Sequence, residues 1–157
     1  DLAGQRVALL GAGGAARALV AGLVAAGATV VIYNRTLERA TALAQAFGGG
    51  PGKAVAAPWA NLCKSCCEIV INCTPIGMYP KCDTSPIDDF ADWSPQTVVM
   101  DTVYNPVQTL LLQRAAAANL RTITGVDMFV RQAARQFTHF TGHPAPVAIF
   151  AQILTQG

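Results

Sequence analysis

A short apolar run that leads directly into a cluster of glycines is the strongest constraint on how this chain folds. Arg6 to Leu10 (RVALL) predicts a buried strand, and the segment GAGGAA at 11–16 follows it immediately. Helix-forming residues then extend from Ala15 to Ala26, and Gly27 predicts the end of that helix. The chain therefore opens with a strand, a tight turn and a helix.

The same alternation of strands and helices continues along the rest of the chain. Strands that alternate with helices favour a parallel sheet with right-handed crossovers. Six strands, the first of which is followed by a glycine turn, predict a Rossmann-type α/β fold. This fold is a doubly wound parallel six-stranded sheet with the strand order 3-2-1-4-5-6. The strands are predicted at Arg6–Leu10, Thr29–Tyr33, Lys53–Ala56, Glu68–Asn72, Thr97–Asp101 and Arg121–Thr124, and further helices at Leu37–Phe47, Asp127–Thr141 and Pro146–Leu154. A length of 157 residues without a long linker predicts a single domain over 1–157.

The chain is unusually apolar for a soluble domain. Charged residues make up 13% and apolar residues 52%, whereas an ordinary soluble domain has about 25% charged residues. We expect two kinds of covering, a sheet buried on both faces by its own helices and a partner surface that this chain does not contain. The helix predicted at 146–154 is apolar on more than one face, which predicts that it packs towards a missing N-terminal domain. Its apolar residues are Val147, Ile149, Phe150, Ile153 and Leu154.

Hydropathy and charge disfavour membrane and nucleic-acid functions. The longest uncharged apolar stretch, Ala18 to Tyr33, is shorter than the ~20 residues that span a bilayer, and no export leader opens the chain. We therefore expect a cytoplasmic protein. A net charge of +2 without a run of lysine or arginine gives no support to nucleic-acid binding.

The cysteines and histidines predict no metal site. Five cysteines, an odd number without an export signal, favour free thiols over a disulfide framework. The pair Cys63-x-x-Cys66 lacks the second such pair that a structural zinc site needs. His139 and His143 have the spacing of a chelating pair on a helix but no evident third ligand.

The glycine segment lies where a phosphate-binding turn is expected. In a G-x-G-x-x-G/A pattern between a strand and a helix, Gly11 allows the tight turn and Gly13 lets a pyrophosphate approach the backbone. Ala16 is small enough for the helix to pack on the strand, and N–H groups at the start of the helix face the phosphates. The pattern predicts a dinucleotide site.

The residues after the second strand favour one dinucleotide over the other. An acidic residue at this position accepts hydrogen bonds from the ribose diol of NAD. This chain instead has Asn34, Arg35 and Thr36, with Arg39 one helical turn further on. Guanidinium groups bind phosphate through charge-assisted hydrogen bonds, so this set suits a 2′-phosphate. The sequence therefore predicts NADP(H) as the cofactor.

Three further polar segments follow the fourth, fifth and sixth strands, at the edge where open α/β sheets bind ligands. They are NCTPIGM at 72–78, DTVYNP at 101–106 and GVDM at 125–128, with Gln132 one helical turn beyond Met128. With these segments in view, the sequence resembles the C-terminal half of shikimate dehydrogenases over essentially its whole length. GAGGAAR at 11–17, NRT at 34–36 and GVDMFVRQA at 125–133 complete the set, in the order and spacing of that family.

The resemblance implies reversible reduction of 3-dehydroshikimate to shikimate with NADPH, and it assigns roles by position. The resemblance implies that the pyrophosphate is held by Gly11, Ala12, Gly13, Gly14 and Ala15. It implies that the adenosine phosphate is held by Asn34, Arg35, Thr36 and Arg39. It also implies that Thr102, Gly125 and Met128 border the nicotinamide end and that Tyr104 and Gln132 reach the substrate.

One departure from the family concerns proton transfer. The lysine and aspartate that move the proton in the family lie in an N-terminal domain, upstream of the glycines, and this chain has only ten residues before Gly11. No catalytic residue is therefore predicted here. We expect the chain to bind cofactor without turnover and to share its small-molecule substrate with a missing N-terminal domain.

Two alternatives stay open at this point. One is a quinate dehydrogenase relative that acts on a different polyol acid, and the other is an NADP-sensing module that has lost catalysis. The sequence also leaves open whether the parent protein is a free-standing enzyme or a larger multifunctional polypeptide, such as a bifunctional dehydroquinate dehydratase/shikimate dehydrogenase.

Overall fold

A computed structural model describes residues 1–62 and 66–155 of the chain. The strands are β1 (Arg6–Leu10), β2 (Thr29–Tyr33), β3 (Lys53–Ala57), β4 (Ile69–Asn72), β5 (Val98–Asp101) and β6 (Arg121–Ile123). The helices are α1 (Gly14–Ala25), α2 (Leu37–Ala46), α3 (Leu110–Ala117), α4 (Gly125–Thr141) and α5 (Val147–Thr155), with a short 3₁₀ helix at Trp59–Asn61.

The six strands form one parallel sheet in the order β3-β2-β1-β4-β5-β6. This confirms the predicted Rossmann-type fold and its strand order. The register aligns the strand ends, because Leu10 pairs with both Tyr33 and Asn72, Tyr33 pairs with Ala57, and Asn72 pairs with Asp101. The residues that follow these strands therefore emerge side by side, along what we call the carboxyl edge of the sheet.

Apolar side chains cover both faces of the sheet, as the composition predicted. Successive residues of a strand point to opposite faces, and both sets are apolar here because a layer lies on each side. On one face Val7, Leu9, Val30 and Ile32 pack with Ala16, Val20 and Leu23 of α1 and with Ala40 and Leu43 of α2. On the other face Ala8, Leu10, Val31, Tyr33 and Val70 pack with Leu111, Leu112 and Ala115 of α3.

The connection from β4 to β5 differs from the alternation of strands and helices. Residues 73–97 contain no helix, yet this segment covers one face of the sheet with Ile87, Phe90 and Trp93, which are all buried. The rings of Phe90 and Trp93 pack with their centroids 5.4 Å apart. An irregular segment therefore provides the apolar layer that a crossover helix provides elsewhere.

Helix α4 begins at Gly125, two residues before the predicted start at Asp127, because a capping box sets its first turn. The hydroxyl of Thr124 accepts a hydrogen bond from the amide of Asp127 at 3.2 Å, and the Asp127 carboxylate accepts one from the amide of Thr124 at 3.1 Å. The helix ends at Thr141, and Gly142 follows in the left-handed conformation with φ +70°.

Helices α4 and α5 pack on each other and leave apolar side chains exposed. The rings of Phe137 and Phe150 meet edge to face, with centroids 5.9 Å apart. The exposed side chains are Phe140, Val147, Ile149 and Ile153, of which Phe140 is 80% exposed. We call these four residues the α4–α5 apolar face.

The prediction of free thiols is correct for three of the described cysteines and wrong for a fourth. Cys67, Cys73 and Cys82 are free, but Cys66 is disulfide-bonded. An odd cysteine count requires one unpaired thiol and still permits a bridge, so the count could not exclude this bond. Cys63, the first residue of the predicted Cys63-x-x-Cys66 pair, lies outside the described residues. In the described ranges, no helix combines the length and the hydropathy needed to cross a membrane.

Candidate dinucleotide site

The turn between β1 and α1 is tightly packed at its base and open at its tip. Gly11 has φ +107°, and a Cβ there would lie 3.0 Å from the carbonyl oxygen of Cys73, so this position favours glycine. A Cβ on Gly13 or Gly14 would meet nothing within 4 Å. Because α1 begins at Gly14 without a side-chain cap, its first N–H groups face open space at the carboxyl edge, where an anion fits.

Two arginines lie beside this turn, at the end of β2. Arg35 and Arg39 are exposed and, with Asn34, line a cavity of about 420 Å³ that also includes Gly11–Gly13. Neither guanidinium makes an ion pair with a carboxylate of the described residues. Asn34 orders the loop, because its side-chain amide donates a hydrogen bond to the carbonyl oxygen of Thr36 at 2.8 Å. This cavity, which we call the first cavity, thus brings two cations without a carboxylate partner among the described residues next to the open start of α1.

The loop after β4 forms the opposite wall of the first cavity, and Asn72 holds it in place. The side-chain oxygen of Asn72 accepts hydrogen bonds from the amide and the hydroxyl of Thr74, at 3.0 and 2.7 Å. Its side-chain nitrogen donates to the carbonyl oxygen of Ile76 at 3.3 Å. Thr74, Pro75 and Ile76 are therefore ordered against the glycine turn.

Asp101 connects β5 to the same network. Its carboxyl group accepts hydrogen bonds from the Asn72 side chain at 3.0 Å, the Val103 amide at 3.0 Å and the Thr109 hydroxyl at 2.7 Å. Burial raises the pKa of Asp101, and these three hydrogen bonds oppose that rise. Burial, with a smaller contribution from Asp101, raises the pKa of the neighbouring Cys73 thiol to about 12, so the thiol stays protonated at neutral pH. The network organises the two loops, and its one thiol, Cys73, is not a thiolate at neutral pH.

A second cavity, also of about 420 Å³, opens between the loops that follow β4 and β5. Thr102 and Tyr104 lie in its wall, together with Met78 and Tyr79. Tyr104 is 50% exposed, and its ring packs against Phe129 of α4 with centroids 5.2 Å apart. The phenol therefore stands at the mouth of this cavity, supported by α4.

The first and second cavities share a wall. The segment Cys73–Pro75 lines both of them, so the two adjoin along the carboxyl edge, and we refer to them together as the cleft. The cleft runs from the arginines after β2, past the open start of α1, to Thr102 and Tyr104 after β5.

Gly125 brings the start of α4 against the end of this cleft. A Cβ at Gly125 would clash with the carbonyl oxygen of Val103 and lie 2.8 Å from that of Thr102, so no side chain fits. Further along α4, Met128 and Gln132 line a larger cavity of about 980 Å³ between α1, α4 and α5, and Ala15 lines it as well. Gln132 is exposed and Met128 is half-buried.

The predicted site residues are therefore distributed over three cavities. The first contains Gly11, Ala12, Gly13, Asn34, Arg35 and Arg39, the second Thr102 and Tyr104, and the third Ala15, Met128 and Gln132. Gly14 begins α1 and Thr36 immediately precedes α2, so both flank the first cavity. Gly125 lies beside Thr102.

Sequence reasoning missed Trp59 and Tyr79. Trp59 lines the first cavity and Tyr79 the second. A signal existed for Trp59, because it follows β3 at the same distance as Arg35 follows β2. In the part of the chain that the structure describes, no group of three or more His, Cys, Asp or Glu residues could hold a metal ion.

Comparison with protein families gives two matches, one at each end of the chain. The family described as "Shikimate / quinate 5-dehydrogenase" matches residues 1–78. The family described as "Shikimate 5'-dehydrogenase C-terminal domain" matches residues 125–155. The two segments contain the glycine turn and α4, respectively.

Curated relatives match along nearly the whole chain. The shikimate dehydrogenase (NADP(+)) of Moorella thermoacetica is 40% identical over 163 residues, which cover 99% of this chain and 55% of the relative. The chloroplastic bifunctional 3-dehydroquinate dehydratase/shikimate dehydrogenase of Arabidopsis thaliana is 42% identical over 156 residues, covering 99% of this chain and 25% of the relative. The chain spans about half the length, or less, of the curated relatives it matches.

Solved structures agree with the sequence comparison. The ligand-free 5-ketofructose reductase of Gluconobacter sp. strain CHM43 has a TM-score of 0.90 and 34% identity, covering 99% of this chain and 57% of that protein. The shikimate 5-dehydrogenase of Thermus thermophilus, solved with NADP(H) and shikimate, has a TM-score of 0.84 and 31% identity, covering 99% and 56%. Taken with the two family matches and the cleft at the carboxyl edge, these likenesses show that the chain belongs to the shikimate dehydrogenase family.

Proposed function

We propose that this chain is the NADP(H)-binding half of a shikimate dehydrogenase, which reversibly reduces 3-dehydroshikimate to shikimate. One observation carries the proposal. The open start of α1 at Gly13 and Gly14 lies at the same cavity as the guanidinium groups of Arg35 and Arg39. Neither guanidinium has a carboxylate partner among the described residues. Backbone amides suit a pyrophosphate, and guanidinium groups suit a 2′-phosphate.

The shape and chemistry of the cleft fit the rest of this cofactor. The absence of a Cβ at Gly13 and Gly14 leaves the room that a pyrophosphate needs next to the backbone. Thr102, Gly125 and Met128 lie at or beside the far end, where they would hold the nicotinamide. When bound, the nicotinamide supplies or accepts a hydride at its C4 carbon. The residues of this chain would bind and orient it.

Two exposed polar side chains support a shared substrate site at the nicotinamide end. The Tyr104 hydroxyl stands at the mouth of the second cavity, and the Gln132 amide lines the third. Both would reach hydroxyl or carboxylate groups of a polyol acid. The lysine and aspartate that transfer the proton belong, in this proposal, to an N-terminal domain that completes the cleft.

The α4–α5 apolar face supports the same arrangement. Phe140, Val147, Ile149 and Ile153 expose apolar surface on the two helices that follow the sheet, and exposed apolar patches mark interaction surfaces. We propose that the N-terminal substrate domain packs here. The relatives extend well beyond the matched region, so they contain additional chain that could form such a domain.

Two measurements test the proposal directly. Calorimetry of the purified chain should show NADPH binding at least about tenfold tighter than NADH, because one charge-assisted contact is worth roughly 1.5–3 kcal/mol. The chain alone should not oxidise shikimate, whereas a fusion to the N-terminal half of the Moorella relative should form NADPH from shikimate and NADP(+). General acid–base catalysis contributes roughly 10²- to 10⁴-fold, so the difference is easily measured. Folded protein that gives no heat with NADPH contradicts the proposal.

The same fusion separates the alternatives. One matching family description covers quinate as well as shikimate, and a 5-ketofructose reductase shares the fold of this half. The fusion should therefore be assayed with shikimate, quinate and 5-ketofructose. Preference for quinate would identify the relative that acts on the other polyol acid. NADPH binding without turnover of any of the three would favour the sensing module.

A further inference from the structure

Trp59 lies at the same edge of the sheet as the arginines that face the cleft. Strand β3 ends at Ala57, which pairs with Tyr33 at the end of β2. Trp59 follows Ala57, and Arg35 follows Tyr33, at the same distance along neighbouring parallel strands. The two side chains therefore emerge next to each other, beyond the same edge.

A short 3₁₀ helix holds Trp59 at this position. The amide of Asn61 donates to the carbonyl oxygen of Pro58 at 2.9 Å, and the amide of Leu62 donates to that of Trp59 at 3.1 Å. The indole is half-buried and packs in part against the apolar core on one face of the sheet. The backbone turn and the core together limit the freedom of the ring.

The rest of the indole lines the first cavity. Among the described residues that line it, Trp59 is the one aromatic side chain, and it shares the cavity with Arg35 and Arg39. The guanidinium groups account for a phosphate but do not by themselves provide a flat apolar surface. An indole provides such a surface, and purine rings stack on aromatic side chains.

The direction of the bound cofactor brings its adenine towards this ring. In the proposed function the pyrophosphate lies at the start of α1 after β1, and the 2′-phosphate lies at Arg35 after β2. The adenosine then continues towards β3, the next strand in the sheet. We infer that Trp59 contacts the adenine ring and contributes to selection of an adenine dinucleotide. The inference rests on the proposed function and adds a residue that the phosphate contacts do not include.

The two tryptophans of the chain allow a direct test by fluorescence. Trp93 is buried in the core against Phe90, so the variant Trp93→Phe leaves Trp59 as the single tryptophan of the 157 residues. Adenosine 2′,5′-bisphosphate is the probe, because it has the adenine and both phosphates but lacks the nicotinamide. Its titration should change the emission of Trp93→Phe with the Kd that calorimetry gives. The matched variant Trp59→Phe, which retains Trp93, should show no change in emission although it still binds.

Affinity provides the second test. Trp59→Leu keeps an apolar side chain but removes the aromatic face, so adenosine 2′,5′-bisphosphate and NADPH should each bind about tenfold more weakly. Trp59→Phe retains an aromatic ring and should lose no more than about threefold. Unchanged Trp59 emission at saturating ligand, or equal affinity of Trp59→Leu and wild type, overturns the inference. Absence of any binding by wild type overturns the proposed function, and the inference with it.

Discussion

The side-chain amide of Asn72 donates a hydrogen bond to the carboxyl group of Asp101 across β4 and β5, with 3.0 Å between Nδ2 and Oδ1. Both residues are fully buried. Each also holds the loop that follows its own strand, Asn72 through Thr74 and Asp101 through Val103. One buried contact therefore sets the relative position of the two loops that form the second cavity.

Replacing Asn72 by leucine should destabilise the protein markedly. Leucine has a similar size but removes a donor to Asp101 and the acceptor for Thr74, so buried polar groups lose their partners. We expect the free energy of unfolding to fall by about 2–3 kcal/mol. Urea denaturation measures this change. Asn61→Leu, at an exposed position, is the matched control and should stay within about 0.5 kcal/mol of wild type; equal effects of the two substitutions would contradict the role of the network.

The raised pKa of Asp101 predicts a pH-dependent stability difference. A carboxyl group whose pKa is higher in the folded than in the unfolded state stabilises the fold fully below the unfolded value of about 3.9, and this contribution is lost as the pH rises through the folded pKa. Asp101→Asn removes that titration. Relative to wild type, the variant should therefore gain stability between about pH 4 and pH 7.

Urea midpoints of wild type and Asp101→Asn at these two pH values provide the measurement. Asp83→Asn, at an exposed position, controls for the loss of a surface carboxylate. A difference that stays constant with pH, or that moves in favour of wild type, would show that burial does not raise the pKa of Asp101.

Replacing Arg35 by alanine should weaken NADPH at least about tenfold, because a charge-assisted hydrogen bond to the 2′-phosphate is lost. NADH lacks this phosphate, so its affinity should change little. Calorimetric titration of both nucleotides measures the difference. Arg121→Ala, in β6 at the far side of the sheet, is the control and should bind both as wild type does. Equal losses for NADPH and NADH would remove the phosphate role from Arg35.

Substitution by alanine should affect stability differently at two glycines of the same turn. At Gly13 the backbone has φ −91° and a Cβ meets no atom within 4 Å. Gly13→Ala should leave stability within about 1 kcal/mol of wild type, because the lower entropy of the unfolded chain and the poorer N-cap preference of alanine oppose each other. It should weaken NADPH binding, because the methyl group takes room that the pyrophosphate needs. At Gly11 the positive φ and the Cys73 carbonyl oxygen oppose a Cβ. Gly11→Ala should therefore lower stability by about 1–3 kcal/mol.

Thermal or urea unfolding combined with NADPH titration distinguishes these two effects. A stable Gly13→Ala protein that binds NADPH as tightly as wild type would mean that the pyrophosphate does not approach this backbone. A Gly11→Ala protein as stable as wild type would mean that the loop after β4 does not press on the turn.

The sheet and much of the site could be predicted because they follow from local patterns. The alternation of apolar runs and helices predicts the parallel sheet, and the glycine turn after the first strand predicts its order. The register then brings Gly11, Arg35 and Thr102 to one edge whatever lies between them. The segment 73–97 could not be predicted in the same way. Ile87, Phe90 and Trp93 are buried without helical or strand periodicity, so only the three-dimensional packing shows that this segment covers the sheet.

The capping role of Asp127 and the place of Trp59 in the first cavity were missed for a different physical reason. The sequence placed Asp127 in a polar segment near a ligand, whereas its carboxylate is used to cap α4. Trp59 follows the third strand, and the role inferred for it depends on the alignment of β3 with β2. Both cases require knowledge of which atoms meet, which residue type and spacing do not provide.

The parallel arrangement of the strands divides the molecule into two unequal rims. All the turns that approach the proposed ligand lie at one rim, whereas the turns at Gly27 and Asn119, which enter β2 and β6, lie at the other. A probe or an inserted tag attached to the second rim is separated from the nucleotide by the full length of the strands. Asn119 therefore offers a place to immobilise or label this protein for the titrations above without obstructing what it binds.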